Sequence, residues 1–155
     1  GLYVLVAAVE SYFELIVRAL LDKIELTIDE KKCYKHGKAI DILYGEEKEL
    51  CGKKVRLRTR LIDEQARNTF HEVRELRNDM LHDILYKPDL ERLQTFVQKC
   101  FGDRLDPAEE ERCKSSEEEL ERVFCNKIVQ AYAKISNKYK RQTDEKIANY
   151  LETKL

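Results

Sequence analysis

The chain is short of the residues that stop helices. It holds five Gly and two Pro in 155 residues and is rich in Leu, Glu, Lys and Arg. In a helix interior Gly and Pro are less favourable than Ala by about 1 and about 3 kcal/mol. A chain so poor in breakers folds into long helices more readily than into sheets. Hydrophobic residues make up 43% and charged residues 38%, too apolar a mixture for a disordered chain. The length suits one domain spanning 1–155. A domain this size buries about 68–70% of the surface of its unfolded chain, so it needs no cross-links to keep a core.

The apolar spacing carries the fold expectation further. Leu2, Leu5, Val6, Val9, Phe13, Ile16, Val17, Leu20, Leu21 and Ile24 follow one another in steps of one, three and four. That predicts a helix with a wide buried stripe. Glu10, Glu14 and Arg18 interrupt any membrane span, and the basic start and cleavage site of a signal peptide are missing. Thr27 and Glu30 fit a capping box that opens a helix over 29–44, with Gly45 to end it. Residues 45–60 are least regular. Val55 and Leu57 alternate with charges there, which suits a small extended insert at 51–60.

Helical periodicity returns over 61–86 and stops before Pro88. Pro88-Asp89 opens a short helix to Phe101, closed by Gly102. Asp106-Pro107 starts another, a capping residue followed by Pro at the first helical position. Ser115-Ser116, with Glu118 and Glu119, predicts a break and a new start. Leu120, Val123, Phe124, Ile128, Ala131, Tyr132 and Ile135 give the last long helix its buried face, and Thr143-Asp144-Glu145 suits the start of a final helix to 155. The expected fold is all-α: an up-and-down bundle of five or six helices. The first residue is not Met, which suits a piece of a longer protein.

Lys plus Arg number 29 against 30 Asp plus Glu, for a net charge of −1. The domain is no polycation, so any nucleic acid must meet a local patch. The basic run Lys53, Lys54, Arg56, Arg58 and Arg60 is a candidate for holding RNA backbone. It reads equally as a solvated loop balanced by Glu46, Glu47 and Glu49. No aromatic residue interleaves with it to stack bases. The five cysteines, Cys33, Cys51, Cys100, Cys113 and Cys125, are odd in number and lack a Cys-x-x-Cys pair. A disulfide framework is therefore not expected, and a cytoplasmic or otherwise intracellular reducing compartment is. Cys33 and His36 have the spacing of half a metal site with no second half, so neither metal nor cofactor is expected.

The helix around 70–85 gathers the chemistry. At about 100° per residue, Val73, Leu76, Met80 and Ile84 share one side. His71, Asn78 and His82 lie opposite with Arg74 beside them, and Arg77 sits at the border. Imidazole, amide and guanidinium are the groups that metal-free RNA cleavage needs. An imidazole can take the 2′-hydroxyl proton near neutral pH. A guanidinium fork can neutralise charge growing on the phosphate. An Asn can orient either.

Arg77-Asn78-x-x-x-His82 resembles the Arg-x4-His signature of the HEPN superfamily, whose usual form has a polar residue straight after the Arg. A long apolar first helix, here AAVESYFELIVRALL at 7–21, is also similar to the family's layout. The resemblance spans roughly 2–100, and its specific part is six residues long. It implies a metal-independent endoribonuclease working as a homodimer, with two signatures meeting in one composite site. Arg77 would hold the scissile phosphate, His82 would be general acid or base, and Asn78 would support them. Products would carry 2′,3′-cyclic phosphate and 5′-hydroxyl ends.

An acidic residue on the first helix assists in some members, a place Glu10 or Glu14 could fill, and His71 and Arg74 are further supporting candidates. The implied partners are RNA or a nucleotide, a second copy and a regulatory protein, in defence or RNA processing, with no membrane. Toxin members carry Tyr two positions after the His, where this chain has Ile84. Other members have lost activity and serve as dimerisation, nucleotide-binding or partner-binding modules. A helical interaction domain with surface pairs at Arg77 is the remaining alternative.

Overall fold

A computed structural model describes residues 1–24, 35–83 and 85–154. Six helices and one hairpin follow in order: α1 (Leu2–Leu21), α2 (His36–Leu43), β1 (Lys48–Leu50), β2 (Lys53–Val55), α3 (Glu64–His82), α4 (Leu90–Phe101), α5 (Pro107–Ser115) and α6 (Glu117–Lys154). The chain is thus all-α with a small extended insert, as its breaker-poor sequence predicts. The capping box expected at Thr27 and Glu30 lies outside the described residues, as do Cys33 and Ile84.

Several boundaries follow from the side chains that cap them. Asp63 accepts from the Ala66 N–H, and Asp89 from the Arg92 N–H. Asp106 and Glu109 form a reciprocal capping box ahead of Pro107. Gly102 closes α4 at φ 66, a conformation that a Cβ disfavours. Ser116 breaks α5 from α6 and accepts from the Glu119 N–H. The hairpin turn places Cys51 and Gly52 at φ 50 and φ 80, both left-handed, which matches a two-residue turn joining twisted strands.

Two expectations are corrected. The helix starting at Thr143 does not exist as a separate element, because α6 runs unbroken through it. Ile135, Tyr139 and Thr143 are buried at steps of four, so the core stripe continues and nothing favours a break. The helix expected over 61–86 is shorter at both ends, since Asp63 caps its start and Asp83 leaves helical geometry at φ −137. A third departure concerns the thiols. Cys100, Cys113 and Cys125 are free, but Cys51 is disulfide-bonded. That withdraws the support five free thiols gave to a reducing compartment. Among the described residues no helix is long and apolar enough to cross a membrane.

Contacts between elements set their directions. The Leu2 N–H donates to Glu121 Oε1 at 3.0 Å, and the Tyr12 ring meets Tyr132 at 5.1 Å, so α1 and α6 run parallel. Gln65 donates to the Cys100 carbonyl at 2.8 Å, which puts the end of α4 at the start of α3, antiparallel to it. Phe13 packs edge-on against Phe70 at 5.1 Å, and Phe96 meets Phe124 at 5.4 Å. These four rings are fully buried at the centre of one continuous core. Burying each stabilises by roughly 1.5–3 kcal/mol. Glu10, one turn before Phe13 on α1, lies near the level of Arg74, one turn after Phe70 on α3. The start of α1 and the end of α3 therefore share one end of the bundle.

Candidate functional site

Along α3, residues 67, 71, 74 and 78 are spaced four, three and four, which places them in one stripe about 60° wide. The first half of that stripe is covered by α2. His71 Nε2 lies 2.7 Å from Asp41 Oδ1, and Arg67 Nε lies 3.3 Å from the same oxygen. Lys48 approaches the other Asp41 oxygen at 3.5 Å. Burial by itself raises the Asp41 pKa. The His71 hydrogen bond and charge, with Arg67 and Lys48, outweigh it and hold the carboxyl below its ordinary value. His71 is thus bound into an ion-pair network that ties α2 to α3.

The opposite edge of α3 is paired too. Glu72 is buried, with Arg92 Nη1 at 2.7 Å and Lys99 Nζ at 3.2 Å. The second half of the polar stripe behaves differently. Among the described residues, the side chains of Arg74, Arg77, Asn78 and His82 make no hydrogen bond or ion pair. Arg74, Arg77 and Asn78 are half-buried, and His82 is exposed as the last residue of α3. The Arg74 guanidinium lies flat over Gly37. A Cβ built on that glycine would be 3.1 Å from Cζ and 3.3 Å and 3.4 Å from the two terminal nitrogens.

Helix geometry places Asn78 and His82 one turn apart and about 40° around the axis, so they share a side. Arg77 and His82 are about 140° apart. One helix therefore does not bring Arg77 and His82 together; a shared site needs another surface to complete it. Tyr3, Val4, Leu81 and Leu85 are the exposed large apolar side chains near this end, from the start of α1 and the end of α3 and just beyond it.

The acidic candidates on α1 separate. Glu14 pairs at the surface with Arg18 Nη2 at 3.0 Å. Glu10 is 2% exposed, and its Oε1 lies 3.2 Å from His36 Nε2. Sequence reasoning assigned His36 only to a metal half-site. No local spacing links it to Glu10, 26 residues earlier, so nothing in the linear pattern signals the pair. Among the described residues no group of three His, Cys, Asp or Glu is placed to hold a metal ion.

The basic run also divides. Lys53, Lys54, Arg56, Arg58 and Arg60 are all exposed, and Arg60 alone of them is stacked over the Tyr44 ring, at 4.2 Å. Glu46, expected to balance the run, instead pairs with Arg67 at 2.5 Å. The hairpin lies along α2, with Lys38 donating to the Glu49 carbonyl at 3.0 Å and Lys48 at Asp41. Its turn at Cys51-Gly52 is thereby directed toward the end of α2 where His36 sits. No family model, curated protein or solved structure matches the chain.

Proposed function

We propose that this chain is an RNA-cleaving domain of the HEPN type, working as a homodimer without a metal. The observation that carries this reading is the contrast within α3. The ionisable groups of its stripe before residue 74 are held by ion pairs, while Arg74, Arg77, Asn78 and His82 have no protein partner among the described residues. Half-buried guanidinium and amide donors without acceptors suit an anionic ligand, since leaving such groups unmade is unfavourable. A phosphodiester supplies the acceptors. The exposed Lys54, Arg56 and Arg58 add sequence-independent attraction for RNA backbone.

In this mechanism Arg77, with Arg74, holds the phosphate and offsets the charge that grows on its oxygens. An imidazole accepts the proton of the neighbouring 2′-hydroxyl. That oxygen bonds to phosphorus while the bond to the 5′ oxygen breaks, and the departing oxygen takes up a proton. The products are a 2′,3′-cyclic phosphate and a 5′-hydroxyl. Asn78, one turn from His82, orients the imidazole. A second copy would bring one protomer's His82 to its partner's phosphate-binding side, and the exposed Tyr3, Val4, Leu81 and Leu85 suit such a contact.

The angle between Arg77 and His82 also favours a second reading: a phosphate-binding module without chemistry. Arg74, Arg77 and Asn78 can hold a nucleotide on their own. The experiment is incubation of wild type and His82→Ala with labelled mixed-sequence RNA in excess chelator, reading the fragment ends. Cleavage by wild type alone, with cyclic phosphate ends, is expected. Cleavage that requires added metal sinks the mechanism. A folded wild type that binds nucleotide and cuts nothing establishes the second reading.

A further inference from the structure

The run from Lys53 to Arg60 holds five cations and no carboxylate, and within it no aromatic residue on which a base could stack. The fold supplies one. Leu61 and Ile62 donate backbone hydrogen bonds to the Leu43 carbonyl at 2.8 Å and 3.3 Å, which lays the end of the run against the end of α2. Arg60 is thereby carried over Tyr44, with Cζ 4.2 Å from the ring centroid. A Cβ built on Gly45, at φ 96, would meet Arg60 Cγ at 3.0 Å, so the glycine leaves room for the arginine stem. We infer that Arg60, seated on Tyr44, is a stacking platform for an unpaired base of the bound strand, at a subsite apart from the signature. The inference rests on the reading above.

Arg60 is exposed and, among the described residues, has no carboxylate partner. The ring holds its guanidinium from one side and leaves it open to a ligand. A guanidinium plane stacks on aromatic faces and takes a nucleobase in the same way. Arg67 lies 4.8 Å from the same ring, but it is bound to Asp41 and Glu46 and cannot serve. Val55 and Leu57 are half-buried while Lys54, Arg56 and Arg58 are exposed, so these cations point outward at alternate positions. Alternate positions of an extended chain stand about 6.6 Å apart. That step suits successive phosphates of a stretched strand. Lys54 faces Glu49 across the hairpin, so Arg56 and Arg58 carry most of the attraction. Cations along a backbone, beside a planar group that takes a base, are the two parts of sequence-tolerant single-strand binding. An anionic lipid surface would meet the same cations but has no ring to lay on Arg60. Arg67, beside Tyr44, stands about 10 Å along α3 from Arg74. The stacked base therefore belongs to a nucleotide away from the one being cut.

The probes are fluorescent 2′-O-methyl RNA strands of one length, which lack the nucleophilic hydroxyl and cannot be cut. One has mixed sequence; the other is abasic and keeps the same phosphates. Binding to the full chain is read by fluorescence anisotropy. Wild type should bind the mixed strand about tenfold more tightly than the abasic one, the factor expected for one stacked base. Arg60→Lys keeps the charge and loses the plane. It should erase most of that ratio and leave abasic binding and the salt slope as in wild type. Tyr44→Leu, with helicity checked by circular dichroism, should erase it too, because the guanidinium loses its seat. If Arg60→Lys keeps the ratio, or weakens the abasic strand as much as the mixed one, no base rests on Arg60 and this inference falls. The functional reading then stands as long as Arg74→Ala weakens both strands. If no strand binds, both fall, and binding to phosphatidylglycerol vesicles instead would assign the cations to a lipid surface.

Discussion

Removing Arg92 should strand a buried charge. Glu72 is 2% exposed and makes ion pairs with Arg92 at 2.7 Å and Lys99 at 3.2 Å. The Lys99 side chain is 52% exposed, so its attraction is largely screened and contributes about 0.2–1 kcal/mol. Arg92 is only 17% exposed. Burial works against its charge, yet the Glu72 hydrogen bond and field raise its pKa above the ordinary value. Breaking a buried pair on one side typically destabilises by about 3–5 kcal/mol. Because Lys99 remains, Arg92→Met should fall at the lower end, about 3 kcal/mol, and Lys99→Met should lose less than about 1 kcal/mol. The double variant Glu72→Met with Arg92→Met removes the charge along with its partner and should recover most of the loss. Urea unfolding followed by circular dichroism gives the comparison, provided the slopes agree. Should the double variant be no more stable than Arg92→Met, the loss comes from packing around the Arg92 stem, and the stranded-charge argument is refuted.

The depressed Asp41 pKa makes a pH prediction. A carboxyl lowered in the folded state contributes stability that is fully present above its unfolded value, near 3.8, and lost as the pH falls through the folded value. The stability gap between wild type and Asp41→Asn, followed by urea midpoints, should therefore hold at neutral pH and close in acid below about 4. Burial pushes the Cys100 thiol up to about 12, so alkylation of the native protein at mildly alkaline pH should leave Cys100 unmodified until the chain is unfolded; mass spectrometry of digested protein checks it. Arg74→Ala and Arg77→Ala should each weaken RNA binding about equally across sequences, and each should reduce the salt slope by roughly one, as read by fluorescence anisotropy.

Caps were the most legible part of the fold, because their signals are local. Asp106-Pro107, Asp89, Ser116 and Gly102 each act within a few residues of where they stand. The start expected at Thr143 fails for the converse reason. A capping residue competes with burial, and here the side chain completes a stripe with Ile135 and Tyr139. The polar edge of α3 was legible as a face. Periodicity could not say which half of that face is occupied, since Asp41 reaches His71 and Arg67 from a different helix. Glu10 and His36 lay beyond reach altogether, being joined by tertiary packing alone. The thiols show a limit of counting: an odd number excludes complete pairing but does not exclude the bond that Cys51 makes.

The parallel alignment of the first and last helices bears on how the chain must be made. Leu2 and Tyr12 find their partners at Glu121, Tyr132 and Ser136, more than a hundred residues later. A ribosome adding about 5–20 residues per second takes roughly 6–24 s to cover that interval. Throughout it, the side of α1 destined for α6 faces water, with only the earlier helices to shelter the rest. Assembly is thus delayed until nearly the whole bundle has emerged, and the nascent chain carries a sticky surface in the meantime. Holdase chaperones that recognise apolar helices should bind this segment during synthesis and release it when α6 arrives.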